Sequence, residues 1–179
     1  MRKRRGKGVV SLLAEGLFVG LAATRALDWL STILYEREDA LERAEEDRAR
    51  GGLTAYERAV EQMTTRLGKR LDTRQLGRWG WRFHESFGVA AGIGYVALRR
   101  RYPRVGASWG LAFGAAFFLV ADELMMPLFG WTPGPRAFSW KVHARGAVSH
   151  LAYGVAAEAA ARAFERGREA LAGTLDARH

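Results

Sequence analysis

Apolar residues gather into four stretches separated by charge: "VVSLLAEGLFVGLAATRALDWLSTILY" at 9–35, "FGVAAGIGYVAL" at 87–98, "VGASWGLAFGAAFFLVADELMMPLF" at 105–129 and "GAVSHLAYGVAAEAAA" at 146–161. A helix needs about 20 mostly apolar residues to cross a bilayer core. The third stretch reaches that length outright. The first reaches it with Glu15, Arg25 and Asp28 inside it, and the second and fourth do so when their polar ends turn to protein or interface. The pattern predicts an all-α chain forming a four-span transmembrane helix bundle. Its spans lie at approximately 9–35, 84–101, 105–129 and 143–164, in a single membrane domain over 1–179.

Within the stretches, small and ionisable residues recur at steps of four, which puts them on one helix face. The first row is Gly16, Gly20, Thr24, Asp28, and the second is His84, Gly88, Gly92, Val96. The third is Gly106, Gly110, Gly114, Phe118, Asp122, and the fourth Gly146, His150, Gly154, Glu158, Arg162. Glycine inside a water-exposed helix costs about 1 kcal/mol, whereas membrane helices use small residues for close approach. The glycine rows are therefore predicted to be helix-packing faces, and an ionisable group costs least there.

Between the first two spans, 36–82 is charged and predicts an extracytoplasmic helical insertion. "EREDALERAEEDRAR" is helix-forming with little to pack, Gly51-Gly52 breaks it, and Thr54 with Glu57 reads as a capping box. A second helix follows with a stripe of Tyr56, Val60, Met63 and Leu67, resting on the membrane surface or capping the bundle. "PLFGWTPGPRAFSW" at 127–140 carries three of the four prolines and predicts a rigid outer turn, with Pro127 ending or kinking the third span.

Composition changes this picture in three ways. The formal net charge of +9 comes from basic groups before the first span (Arg2, Lys3, Arg4, Arg5, Lys7), in "RRRYPR" (Arg99, Arg100, Arg101, Arg104) and after the last span (Arg162, Arg166, Arg168, Arg178). That placement predicts cytoplasmic N- and C-termini, and it sets the basic groups against anionic lipid without any nucleic-acid motif. Trp29, Trp79, Trp81, Trp131 and Trp140 then fall near the outer interface, as an aromatic belt does. The absence of cysteine excludes disulfides and thiolate chemistry. The start "MRKRRGKG" mimics a signal peptide, but Glu15 interrupts the apolar run, so an uncleaved first span is expected.

The candidate chemistry is protonic. At about 1.5 Å per residue, Arg25, Asp28, His84, Glu85, Asp122, Glu123 and His150 fall at similar depth toward the outer side. Glu15 and Glu158 form an inner polar pair, with Arg162 one turn on. Two readings stand. In one, the outer cluster is a protonatable site that senses or conducts protons or ions. In the other, Arg25 neutralises Asp28 or Asp122 and the rest lock the bundle. No HExxH spacing, phosphate loop or nucleophile motif is present, and Ser149 is placed on a different face from His150. No metal, no cofactor and no enzymatic activity are therefore expected.

From His84 onward the chain resembles the YagU-like bacterial inner-membrane proteins, a family of unknown biochemical activity. "FHESFGVAAGIGYVALRRRYPRV" is similar to that family's histidine-bearing span, and "SWKVHARGAVSHLAYG" resembles its Trp-led Gly-His-Leu segment, with Ser149 in place of the glycine. "WGLAFGAAFFLVADELMMPLFGWTP" is similar to its Gly-rich span, closing on Pro127, Leu128, Gly130, Thr132 and Pro133. The proline-free 36–82 segment departs from the family's outer loop. The resemblance implies a multi-pass protein of the bacterial cytoplasmic membrane, concerned with proton or envelope stress, and it does not point to a substrate. The expected partners are the lipid bilayer and, in an alternative accessory role, another membrane protein or a second copy bound through the glycine faces.

Overall fold

The computed structural model describes residues 2–176, and Arg178 of the C-terminal basic group lies outside them. The chain is all-helical among the described residues. The order is α1 (Arg2–Glu36), α2 (Ala40–Arg50), α3 (Ala55–Arg66), α4 (Thr73–Arg101), α5 (Leu111–Leu128) and α6 (Trp140–Asp176).

Local chemistry sets the ends of these helices. Asp39 caps α2 by accepting from the Glu42 amide, and Gly51, at φ 68°, turns the chain out. The Thr54–Glu57 capping box opens α3. A second capping box, Asp72 with Gln75, starts α4 well before residue 84, so the helix that carries the second apolar stretch takes in residues 73–83 as well. The predicted α3 stripe is half right: Val60 is buried with Ala55 and Ala59, but Met63 and Leu67 are exposed.

The third stretch departs most from expectation. Pro103–Ser108 is a 3-10 turn, Trp109 and Gly110 take positive φ, and helix begins only at Leu111. Gly106, Gly110 and Gly114 therefore do not share one helical face. Leu119–Met125 is then π-helical before the last turn, Met126–Leu128. Pro127 has no N–H to offer the Glu123 carbonyl and its ring crowds it, which accounts for the loosened ladder just upstream.

The long helices pack antiparallel to their neighbours in the order α4, α1, α6, α5. On α1 and α4, Gly16 faces Ile93, Gly20 faces Val89 and Thr24 faces Gly88. On α5 and α6, Gly110 faces Gly154, Gly114 faces the His150 backbone and Phe118 faces Gly146. The glycine rows thus close contacts within the chain. A Cβ on Gly16 would lie 2.6 Å from Ile93, so the approach depends on the missing side chain. The α4–α5 side is filled by rings, Tyr95 against Phe113 (4.9 Å between centroids) and Phe87 against Phe117 (6.0 Å). Val19, Ala23, Tyr95, Val96, Tyr153 and Ala157 complete the core, and the Tyr153 hydroxyl donates to the Gly88 carbonyl at 2.6 Å.

Two helices are long and apolar enough to cross a membrane, Gly8–Glu36 and Leu111–Leu128. The outward faces are inverted relative to a protein in water. Val9, Val10, Leu13, Leu17, Phe18 and Leu21 of α1 are exposed, as are Leu111, Leu119, Val120, Leu124 and Leu128 of α5. Between Ser86 and Leu98 on α4 there is no charged residue, and between Gly146 and Ala161 on α6 the one charged side chain, Glu158, is fully buried. Continuous apolar surface of this kind marks a membrane or partner-facing surface.

Candidate functional site

A cavity of about 790 Å³ opens where α2 and α3 lie over one end of the long helices. Each long helix supplies part of its wall: Asp28 from α1, Trp81 and His84 from α4, Phe118, Asp122 and Glu123 from α5, and His143, Ser149 and His150 from α6. Glu46 and Arg50 of α2 and Tyr56 of α3 contribute from above. The π-helical turn is what lets two consecutive acids, Asp122 and Glu123, both line the space. Such turns recur at functional sites.

The acids in this wall meet histidines. The His84 Nε2 lies 2.7 Å from Asp28 Oδ1, His143 Nδ1 lies 2.6 Å from Glu123 Oε1, and His150 Nδ1 lies 3.8 Å from Asp122 Oδ2. His143 Nε2 also donates to the Pro135 carbonyl at 3.0 Å. Both nitrogens of that ring therefore face acceptor oxygens, an arrangement fully satisfied when the ring carries both protons. His150 Nδ1 donates to the Gly146 carbonyl at 2.9 Å, and its ring stands edge-on to Phe117 at 4.9 Å. The Tyr56 ring lies tilted against His84, with 4.5 Å between ring centroids. Burial, and after it the Asp122 and Asp28 carboxylates, raise the Tyr56 hydroxyl above its ordinary pKa, so it stays a donor.

The predicted outer cluster therefore divides. Asp28, His84, Asp122, Glu123 and His150 share the cavity, whereas Arg25 and Glu85 form an ion pair outside it. Arg25 also reaches Asp28 Oδ2 at 3.9 Å, a long ion pair, and makes none with Asp122, so the expected neutralisation holds for Asp28 and not for Asp122. Ser149 also needs correcting: it is 2% exposed and lines the same cavity as His150. His143, Tyr56 and the roof of α2 were not among the predicted site residues. His143 was legible as the first histidine after the proline turn, but nothing in the sequence marked which long-range partner it meets. Among the described residues, no three His, Asp or Glu side chains gather as metal ligands.

α2 is held by charge, as its lack of apolar residues requires. Arg145 of α6 donates to Glu38 and, at 2.6 Å, to Glu46, which Arg50 also reaches at 2.6 Å, while Lys141 pairs with Glu42. Burial pushes Glu46 up, but the hydrogen bonds from Arg145 and the charge and hydrogen bond of Arg50 outweigh it and hold the carboxyl below its ordinary range.

At the opposite end, Glu15 and Glu158 are not a pair with each other. Glu158, 0% exposed, accepts from Tyr95, from Arg99 at 2.9 Å and from Arg162 at 2.6 Å. Glu15, 2% exposed, is bound by Arg100 at 2.5 Å. Arg99 and Arg100 of the basic turn thus reach inward to neutralise buried acids. Arg162 lies over the Trp109 ring at 4.2 Å, and a side chain on Gly106 would strike the Glu158 carboxylate. This end is a closed set of ion pairs, the geometry in which buried charge is tolerated.

No curated protein and no solved structure matches the chain. A family model does, over residues 60–159, taking in His84, Asp122, Glu123, His143, Ser149 and His150 and leaving out α1 and α2. With more than half its length matched, the chain belongs to DUF1440, a family of proteins of unknown function.

Proposed function

We propose that this chain is a four-span protein of the bacterial cytoplasmic membrane, of the YagU-like kind, that senses external acidity through its outer cavity. The observation that carries the reading is the set of histidine–carboxylate pairs in one cavity, Asp28–His84, Glu123–His143 and Asp122–His150. Histidine changes charge between about pH 5 and 8, and each protonation here turns a neutral–anionic contact into an ion pair. The pairs join α1 to α4 and α5 to α6, so acidification tightens both contacts at once.

Sensing is better supported than conduction. Beyond His150 the interior is Phe113, Phe117, Tyr153 and Tyr95, and the next ionisable group on α6 is Glu158, about 12 Å further on and already bound by arginine. An accessory role through the glycine faces finds those faces occupied within the chain.

The test uses purified protein in liposomes. Trp81, whose ring lies 5.7 Å from His84, reports on the cavity. Its fluorescence is expected to shift between about pH 8 and 5 in wild type and to stay flat in a triple His84→Gln, His143→Gln, His150→Gln variant. Proton flux is expected to match that of empty vesicles in wild type, Asp122→Asn and His150→Ala. An unchanged titration in the triple variant refutes sensing by these groups, and flux that Asp122→Asn abolishes moves the assignment to conduction.

A further inference from the structure

We infer that the same cavity is a binding site for a protonated organic amine, a ligand role that needs the cavity's acids and acceptors but not the pH response of its histidines. The argument starts from unpartnered atoms. The buried side-chain atoms without a hydrogen-bond partner within the described residues are Asp28 Oδ2, His84 Nδ1 and Ser149 Oγ, and all belong to residues that line this cavity. Ser149 is 2% exposed, and leaving such a group without a partner costs about 1–3 kcal/mol. Nε2 of His84 can only donate to the Asp28 carboxylate, and in the tautomer that carries this one proton Nδ1 is an acceptor. A carboxylate oxygen, with Arg25 Nη1 3.9 Å away, an imine nitrogen and a hydroxyl are therefore without a hydrogen bond.

Charge points the same way. Asp122 and Glu123 form ion pairs only with histidines. The arginines in the wall are already engaged, Arg145 by Glu38 and Glu46, and Arg50 by Glu46 with its guanidinium 5.2 Å from the Phe138 ring. An anion would meet acids and acceptors, so a cation fits. A bare metal ion lacks a ligand set among the described residues. An ammonium group brings several N–H donors, and an attached apolar body finds Phe118, Met126 and the Tyr56 ring in the same wall. The volume of about 790 Å³ is that of a small-molecule site.

The experiment measures benzylamine binding to the full chain in nanodiscs at about pH 8 by calorimetry and Trp fluorescence. Benzyl alcohol and benzoate serve as neutral and anionic counterparts, and empty nanodiscs correct for partition into lipid. Saturable binding of benzylamine, at least about tenfold tighter than either counterpart, is expected. Asp122→Asn and Asp28→Asn should each weaken it about tenfold with an unchanged melting temperature, and Ser149→Ala a few-fold. Benzylamine binding no better than benzyl alcohol overturns the proposal on wild-type protein alone, and affinity indifferent to both Asp→Asn changes overturns it as well. A double His143→Gln, His150→Gln variant, which keeps His84, separates this from acid sensing, because it should lose the α5–α6 share of the pH response yet keep benzylamine binding within a few-fold.

Discussion

At Gly110 the backbone is held at φ 79° while the Gly154 carbonyl presses on the space a Cβ would fill. Alanine there meets conformational strain and a backbone collision together. Gly110→Ala is expected to lose about 3 kcal/mol or more, read as thermal unfolding in detergent. Gly94 is the control, since nothing lies within 4 Å of its Cβ position, and Gly94→Ala should stay within about 1 kcal/mol of wild type. The buried acids make a second prediction at this scale. Glu15 depends on Arg100, so Arg100→Met strands a charge that is 2% exposed and should cost about 3–5 kcal/mol. Adding Glu15→Gln should recover most of that loss. A double variant no more stable than Arg100→Met alone would show that the arginine acts through packing instead.

Among the elements, α2 is the one whose position rests on charge. Glu46 is its buried residue, and its carboxyl is held below the ordinary glutamate value by Arg145 and Arg50 despite burial. A depressed folded pKa means that the docking energy is fully present above the undocked value, about 4.3, and is lost as pH falls through the lower docked one. Hydrogen exchange in Ala40–Arg50 should therefore rise at strongly acid pH. Glu46→Gln should raise it at neutral pH and flatten the acid response. Much of this element scale was legible in the chain: the Gly51-Gly52 break, the Thr54 capping box and the polar character of α2 all follow from local chemistry. The π-turn was not, because Pro127 signals disruption without saying whether the helix kinks, ends or widens. Nor were the cavity pairs. Periodicity put His84 and Asp28 at matching depths, but Arg25 had the same claim on Asp28, and only packing gave His84 the close contact at 2.7 Å and left Arg25 at 3.9 Å, bound more closely to Glu85.

For the whole molecule, the decisive question is what surrounds the apolar belt. Hydropathy marks α1 and α5, while α4 and α6 are shorter in apolar length and carry charge near their ends. Their exposed residues nonetheless carry no charge between Ser86 and Leu98 or between Gly146 and Ala161, and the ionisable groups at those depths face inward. Charge kept off the outward faces is what lipid would require, and the four-span proposal rests on it. Trp29, Trp79, Trp81 and Trp140 stand exposed toward the cavity end, where an interface would hold them. Because the chain has no cysteine, single cysteines can be placed without a background. Cysteines replacing Ala90, Leu119 and Val155, all on outward faces, should resist a membrane-impermeant maleimide even after the cells are opened. One at Lys69 should react in spheroplasts, and one at Arg166 only after permeabilisation. Labelling at positions 90 and 155 with protection at 119 would reduce the spans to the two that hydropathy marks, and the cavity would then face water on more than one side.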